Sequence, residues 1–141
     1  MHTEHLQNVR PSWVLFGWFV SVAVVSLFGL VLAAAGIVDP DASGAGGLWG
    51  IVAIGLGFFL GGMVTGARVG AAPILHGVAM GIVSLLVWFA ANLLVGEALD
   101  AETWGGDSPA FYAGSLLLQI VAAALGARYG SRQQRRVTAP S

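Results

Sequence analysis

Few side chains in this 141-residue sequence are of a type that does chemistry, and those few stand in apolar surroundings. His76 is the one ionisable residue inside a long apolar run, and an ionisable group at membrane depth is by default a functional hypothesis. Its imidazole could relay a proton or gate a path. A ring nitrogen could also ligate a porphyrin or chlorin, for which the small neighbours Ala72 and Gly77 would leave room. The preferred reading is plainer: a neutral ring hydrogen-bonded to a backbone carbonyl or to a serine of a neighbouring helix. A metal site has the least support, because no second His, Asp, Glu or Cys lies at helical spacing from His76. Ser84 and Gln119 are the other intramembrane polar candidates, accompanied by Ser21, Ser26, Thr65, Asn92 and Ser115. Gln119 is read as an interhelical hydrogen-bonding residue, a bond worth about 0.6 kcal/mol on average, and otherwise as the polar lining of a solute path.

Two further groups look like ligands only at first sight. His2-Thr3-Glu4-His5 lacks the three residues that separate the two histidines of a zinc-binding HExxH helix. The acids Glu97, Asp100, Glu102 and Asp107 match no calcium-loop pattern and are read as a solvated loop. No nucleophile stands beside a base and no paired carboxylates lie in an apolar run, so no catalytic residue is expected.

The elements that must position these residues are set by composition. The chain is 57% hydrophobic and 9% charged, against roughly 25% charged in an average soluble domain. Lysine is absent and the formal net charge is −1, which argues against a nucleic-acid partner. With no cysteine, disulfides and thiolate metal sites are excluded. A bilayer core of about 30 Å takes roughly 20 apolar residues as a helix. Four stretches free of Asp, Glu, Lys and Arg meet that length, at 13–38, 46–65, 71–95 and 109–127. The expected fold is therefore an all-α integral membrane four-helix bundle spanning 13–130, between an N-terminal tail (1–12) and a basic tail (131–141).

Orientation follows from the connections, since Arg and Lys are retained in the cytoplasm during insertion. Arg10, Arg68, Arg128, Arg132, Arg135 and Arg136 all fall on one side, whereas the 39–43 and 96–108 connections hold six of the seven acids and no base. Both termini are thus expected in the cytoplasm, with Arg128, Arg132, Arg135 and Arg136 anchored on anionic lipid headgroups. Ala33-Ala34-Ala35 resembles a signal-peptidase site, but the apolar run from Trp13 to Leu32 exceeds the 7–15 residues of a signal peptide's apolar region. The uncleaved reading is preferred, with Trp13 and Tyr129 near one boundary and Trp49, Phe111 and Tyr112 near the other as interfacial anchors.

Helices in lipid associate through small residues and hydrogen bonds. The second segment carries one row at Gly46, Gly50, Ala53, Gly57 and Gly61, and another at Gly62, Gly66 and Gly70. The third has Gly77 and Gly81, the fourth Ala122, Gly126 and Gly130. Segments two and three are expected to form a closely packed hairpin joined by about five residues around Arg68, a span short enough for antiparallel neighbours.

From Gly61-Gly62 through Thr65-Gly66-Ala67-Arg68 to His76-Gly77, the chain resembles small bacterial four-helix inner-membrane proteins of unknown function. These share a Gly-Gly, Ala/Thr-Gly, then His-Gly pattern across helices two and three. The resemblance covers about a quarter of the chain and implies architecture, with no activity to carry over. The function expected is a non-catalytic subunit of the bacterial cytoplasmic membrane, packed beside a larger assembly or against itself. A small homo-oligomeric channel or transporter, and a pigment- or haem-binding subunit, are the alternatives.

Overall fold

The computed structural model describes residues 6–38, 47–95 and 109–138. The 39–43 connection, the 96–108 connection with Trp104, and the HTEH stretch lie outside them, as does the Asn92 side chain. A short 3-10 turn, Leu6–Asn8, precedes four α-helices: α1 Pro11–Ala34, α2 Gly47–Val69, α3 Pro73–Val95 and α4 Pro109–Thr138. All four are long and apolar enough to cross a membrane.

The helix ends have local causes. Pro11 opens α1 and Pro73 opens α3, positions where the missing N–H costs nothing and the fixed φ suits a helix. α1 stops at Ala34, four residues short of the expected end. Gly36 turns left-handed at φ 67°, its N–H donates to the Ala33 carbonyl, and the Ile37 N–H donates to the Leu32 carbonyl, which closes a Schellman cap. α2 instead runs past its expected end, so Arg68 lies in its last helical turn, where its positive charge complements the negative end of the helix dipole. The link to α3 shrinks to residues 70–72, with Gly70 at φ 63° and Ala72 at φ 47°. α4 continues through most of the expected basic tail. After the opening Pro109 its sequence offers no further proline before Pro140, and Gln133 Nε2–H donates to Tyr129 Oη one turn away at 3.0 Å.

α2 sits between α1 and α4, and α3 packs mainly on α4 while reaching α1. The expected tight α2–α3 hairpin is therefore not what holds the bundle: α2 and α3 meet far less than each meets α4. The reason lies in the two glycine rows. Gly61 and Gly62 are adjacent, so their directions differ by about 100° around the helix, and each row faces a different neighbour. Gly57 and Gly61 abut Ser21, Val25 and Gly17 of the antiparallel α1. Gly62 and Gly66 abut the Ala123 and Ala127 carbonyls of the parallel α4, and Gly126 and Gly130 answer by abutting the Phe59 and Met63 carbonyls. A Cβ at any of these last four would fall on backbone. α4 uses its remaining face for α3, where Gly77 lies against Ala124 and Gly81 against the Ile120 side chain.

Between these crossings lies a small core of Val14, Phe58, Met80, Ala122 and Ala123. The start of α1, the end of α2 and the end of α4 share one end of the bundle, so the arginines of the chain collect there.

Candidate functional site

Polar side chains at membrane depth form a seam where α1, α2 and α3 meet. His76 stands in the first turn of α3 with no exposed surface. Its Nδ1 lies 2.8 Å from the Ala72 carbonyl and its Nε2 lies 3.0 Å from the Arg10 backbone nitrogen. A carbonyl only accepts and an amide N–H only donates, so the proton sits on Nδ1 and the Nε2 lone pair receives the Arg10 N–H. The ring is a neutral clip between the start of α1 and the start of α3. Ala72 supports it from the left-handed region, a conformation costing a non-glycine residue about 1 kcal/mol or more. Its carbonyl also accepts the His76 backbone N–H at 3.2 Å. A macrocycle on Nε2 would have to displace the Arg10 amide, and a base at that nitrogen would need the same lone pair.

Two turns further along, Trp18 Nε1–H donates to Ser84 Oγ at 2.9 Å. The Arg10–His76 and Trp18–Ser84 bonds share one offset of 66 residues, as parallel helices in fixed register require. Between them Thr65 is fully buried, its hydroxyl 3.0 Å from the Gly61 carbonyl and 3.3 Å from the Trp13 carbonyl, with Met80 Sδ at 4.0 Å. The Ser21 hydroxyl donates to the Gly17 carbonyl at 2.9 Å. Such back-bonds to the preceding turn satisfy a hydroxyl with no partner helix. The seam therefore positions helices, and among the described residues it holds no nucleophile paired with a base.

The second polar group is a cleft of about 490 Å³ between the later half of α3 and the early half of α4, lined by Ser84, Leu85, Trp88, Tyr112, Ser115 and Gln119. Trp88 and Tyr112 face each other with ring centroids 6.2 Å apart. Ser84 already accepts from Trp18, and Ser115 donates to the Tyr112 carbonyl at 2.9 Å. Gln119 Oε1 is buried and meets no donor among the described residues. The two intramembrane candidates Ser84 and Gln119 thus share one cleft, which His76 does not line.

Other candidates fall differently. Gly50 faces open space, and Gly70 serves the turn rather than a contact. Ser26 is exposed on α1. Arg128 and Arg132 are exposed on α4; Arg135 and Arg136 continue the same helix, their side chains outside the described set. The register of these four places them within about 100° of one helical face. Gly17, Trp18, Ala123 and Ala127 are not singled out by the sequence, and Ser21 is marked there as a polar residue but not as a packing contact. For Gly17 and Ser21 a signal existed, two small residues one turn apart on an otherwise bulky helix. No protein-family model matches the chain, and no curated protein or solved structure is significantly similar to it.

Proposed function

We propose that this protein is a non-catalytic subunit of the bacterial cytoplasmic membrane whose α3/α4 cleft receives a transmembrane helix of a larger assembly. The observation that carries this reading is Gln119 Oε1, a buried acceptor without a donor. In hydrocarbon no water can substitute, and an unsatisfied group costs about 1–3 kcal/mol. A hydroxyl, carboxamide or indole N–H presented by a partner helix at that depth, with rotation of the Gln119 amide about its soft terminal torsion, removes the penalty. The surroundings favour a helix as the occupant. Leu85 through Ala90 are all exposed, more than a full turn of α3 that the bundle leaves largely uncovered, with Trp88 meeting Tyr112 across the cleft.

The test is site-specific photo-crosslinking in the native host, with a photoreactive residue replacing Leu85 and, as control, the equally exposed Leu27 of α1. The expected result is a Leu85-dependent adduct with one integral membrane protein that co-purifies at fixed ratio in mild detergent. Gln119→Leu should weaken that association by about three- to fifteen-fold while making the isolated chain more heat-stable. A protein that runs alone from native membranes, without an adduct, sinks the proposal.

One observation favours a second reading. Gln119, Ser84 and Ser115 line a common cleft, as a solute path in a small homo-oligomeric channel or transporter would need. That reading calls for Leu85 adducts between copies of the chain, and for flux in liposomes that Gln119→Leu abolishes.

A further inference from the structure

The strongest unassigned feature lies at the opposite end of the bundle, where the arginines collect. A groove of about 470 Å³ opens between the first turns of α1 and the last turns of α2, lined by Ser12, Trp13, Phe16, Val64 and Arg68. Each of its polar side chains can donate a hydrogen bond. The Arg68 guanidinium, the Ser12 hydroxyl and the Trp13 indole N–H find no hydrogen-bond or ion-pair partner among the described residues, and those residues include no Asp or Glu. Its remaining walls are apolar: Phe16 packs edge-on against Trp13 with centroids 5.6 Å apart, and Val64 faces them from α2. The α1 backbone adds to the same polarity, because this groove borders the helix N-terminus, which favours negative charge.

From this we infer that the groove binds the phosphate of one anionic phospholipid, with Arg68, Ser12 and Trp13 donating to the headgroup and an acyl chain lying along Phe16 and Val64. A guanidinium is well suited to phosphate because its planar fork can donate two parallel bonds. Donors without an acceptor select against a headgroup that carries its own cation, and an apolar wall selects a lipid over a soluble anion. Trp13 at this level matches the preference of indoles for the headgroup region. Such a lipid would tie the α1 and α2 ends together on the side facing away from α4.

Native mass spectrometry of the full chain released from mild detergent tests this, with phosphatidylglycerol, phosphatidylcholine and inorganic phosphate as separate probes. The expected result is one retained phosphatidylglycerol, with occupancy falling about fivefold in Arg68→Gln and less in Ser12→Ala. Leu27→Ala, at an exposed position of α1 outside the groove, should leave occupancy unchanged. Equal retention in Arg68→Gln overturns the assignment. So does equal retention of phosphatidylcholine, and so does inorganic phosphate giving the same adduct or displacing the lipid. Ser12 is exposed at the helix start, so its variant keeps the test decisive if Arg68→Gln folds poorly.

Discussion

His76 is a residue whose type invites a catalytic or ligand role, yet its two bonds make it a joint. Both ring nitrogens are engaged by backbone groups of opposite polarity, so a substitution removes a donor and an acceptor together. His76→Leu keeps the apolar volume but leaves the Ala72 carbonyl with one partner fewer and the Arg10 N–H without any. The expected cost is about 1–3 kcal/mol. It should appear as faster amide exchange at Trp13 and Val14, whose N–H groups hang from the Arg10 carbonyl, with exchange in α4 unchanged. Uniform acceleration across all four helices would mean that His76 supports the whole bundle and not one joint. The sequence marks His76 because it is ionisable within an apolar run, but its partner lies 66 positions away and contributes a main-chain amide. No residue type advertises that. The Trp18–Ser84 bond is hidden for a similar reason: Trp18 reads as an apolar residue of α1 until the neighbouring helix is placed. Removing this bond in Ser84→Ala, which leaves the Trp18 packing in place, should lower stability by about 0.6 kcal/mol, measurable as a small shift in thermal unfolding in detergent.

At the scale of helices, the decisive fact is which surface each glycine row meets. Spacing reveals a face but leaves its neighbour unnamed, which is why two rows on α2 suggested a hairpin with α3 when they serve α1 and α4. The one-residue offset between Gly61 and Gly62 held the clue, since two adjacent rows cannot face the same helix squarely. Close approach of α2 and α4 requires that neither backbone be shielded by side chains. At Gly66 a methyl group would fall on the Ala127 carbonyl, which belongs to another helix backbone and cannot rotate away. Gly66→Ala is therefore expected to cost about 1–3 kcal/mol by overpacking. Gly50→Ala meets nothing within 4 Å and should stabilise by up to about 1 kcal/mol through helix propensity. Thermal unfolding of the two variants in one detergent separates them. Equal effects would show that α2 and α4 do not approach this closely in the bilayer. Helix starts are legible to within two residues, whereas three ends are misplaced: α1 is capped early at Gly36, α2 runs on to Val69, and α4 continues where apolarity stops but helix propensity persists through Gln133, Gln134 and Arg135.

For the whole molecule, the number of crossings and the placement of charge are coupled. Four helices return the chain to the side on which it started, and the bundle gathers Arg10, Arg68 and the arginines of α4 at that same end. Whole-molecule architecture was thus readable from length, apolarity and arginine placement alone, because the bilayer imposes one dimension and one charge rule on any chain that crosses it. The opposite orientation would carry all six arginines across the membrane, against the strongest determinant of topology. The termini are therefore expected in the cytoplasm, and a chain without cysteine lets this be tested cleanly. Single-cysteine variants Ser43→Cys and Ser108→Cys, between α1 and α2 and between α3 and α4, should react with a membrane-impermeant maleimide on intact cells. Ala139→Cys, beyond α4, should react only once the membrane is opened. Labelling of position 139 on intact cells, with positions 43 and 108 protected, would invert the topology. It would also move the Arg68 groove to the outer leaflet and the Gln119 cleft to the inner half of the bilayer, so that a partner helix would have to present its donor nearer the cytoplasm. Labelling of all three on intact cells would place both ends of α4 on the outer side, so that α4 does not cross, and would break the parallel α2–α4 contact on which the bundle depends.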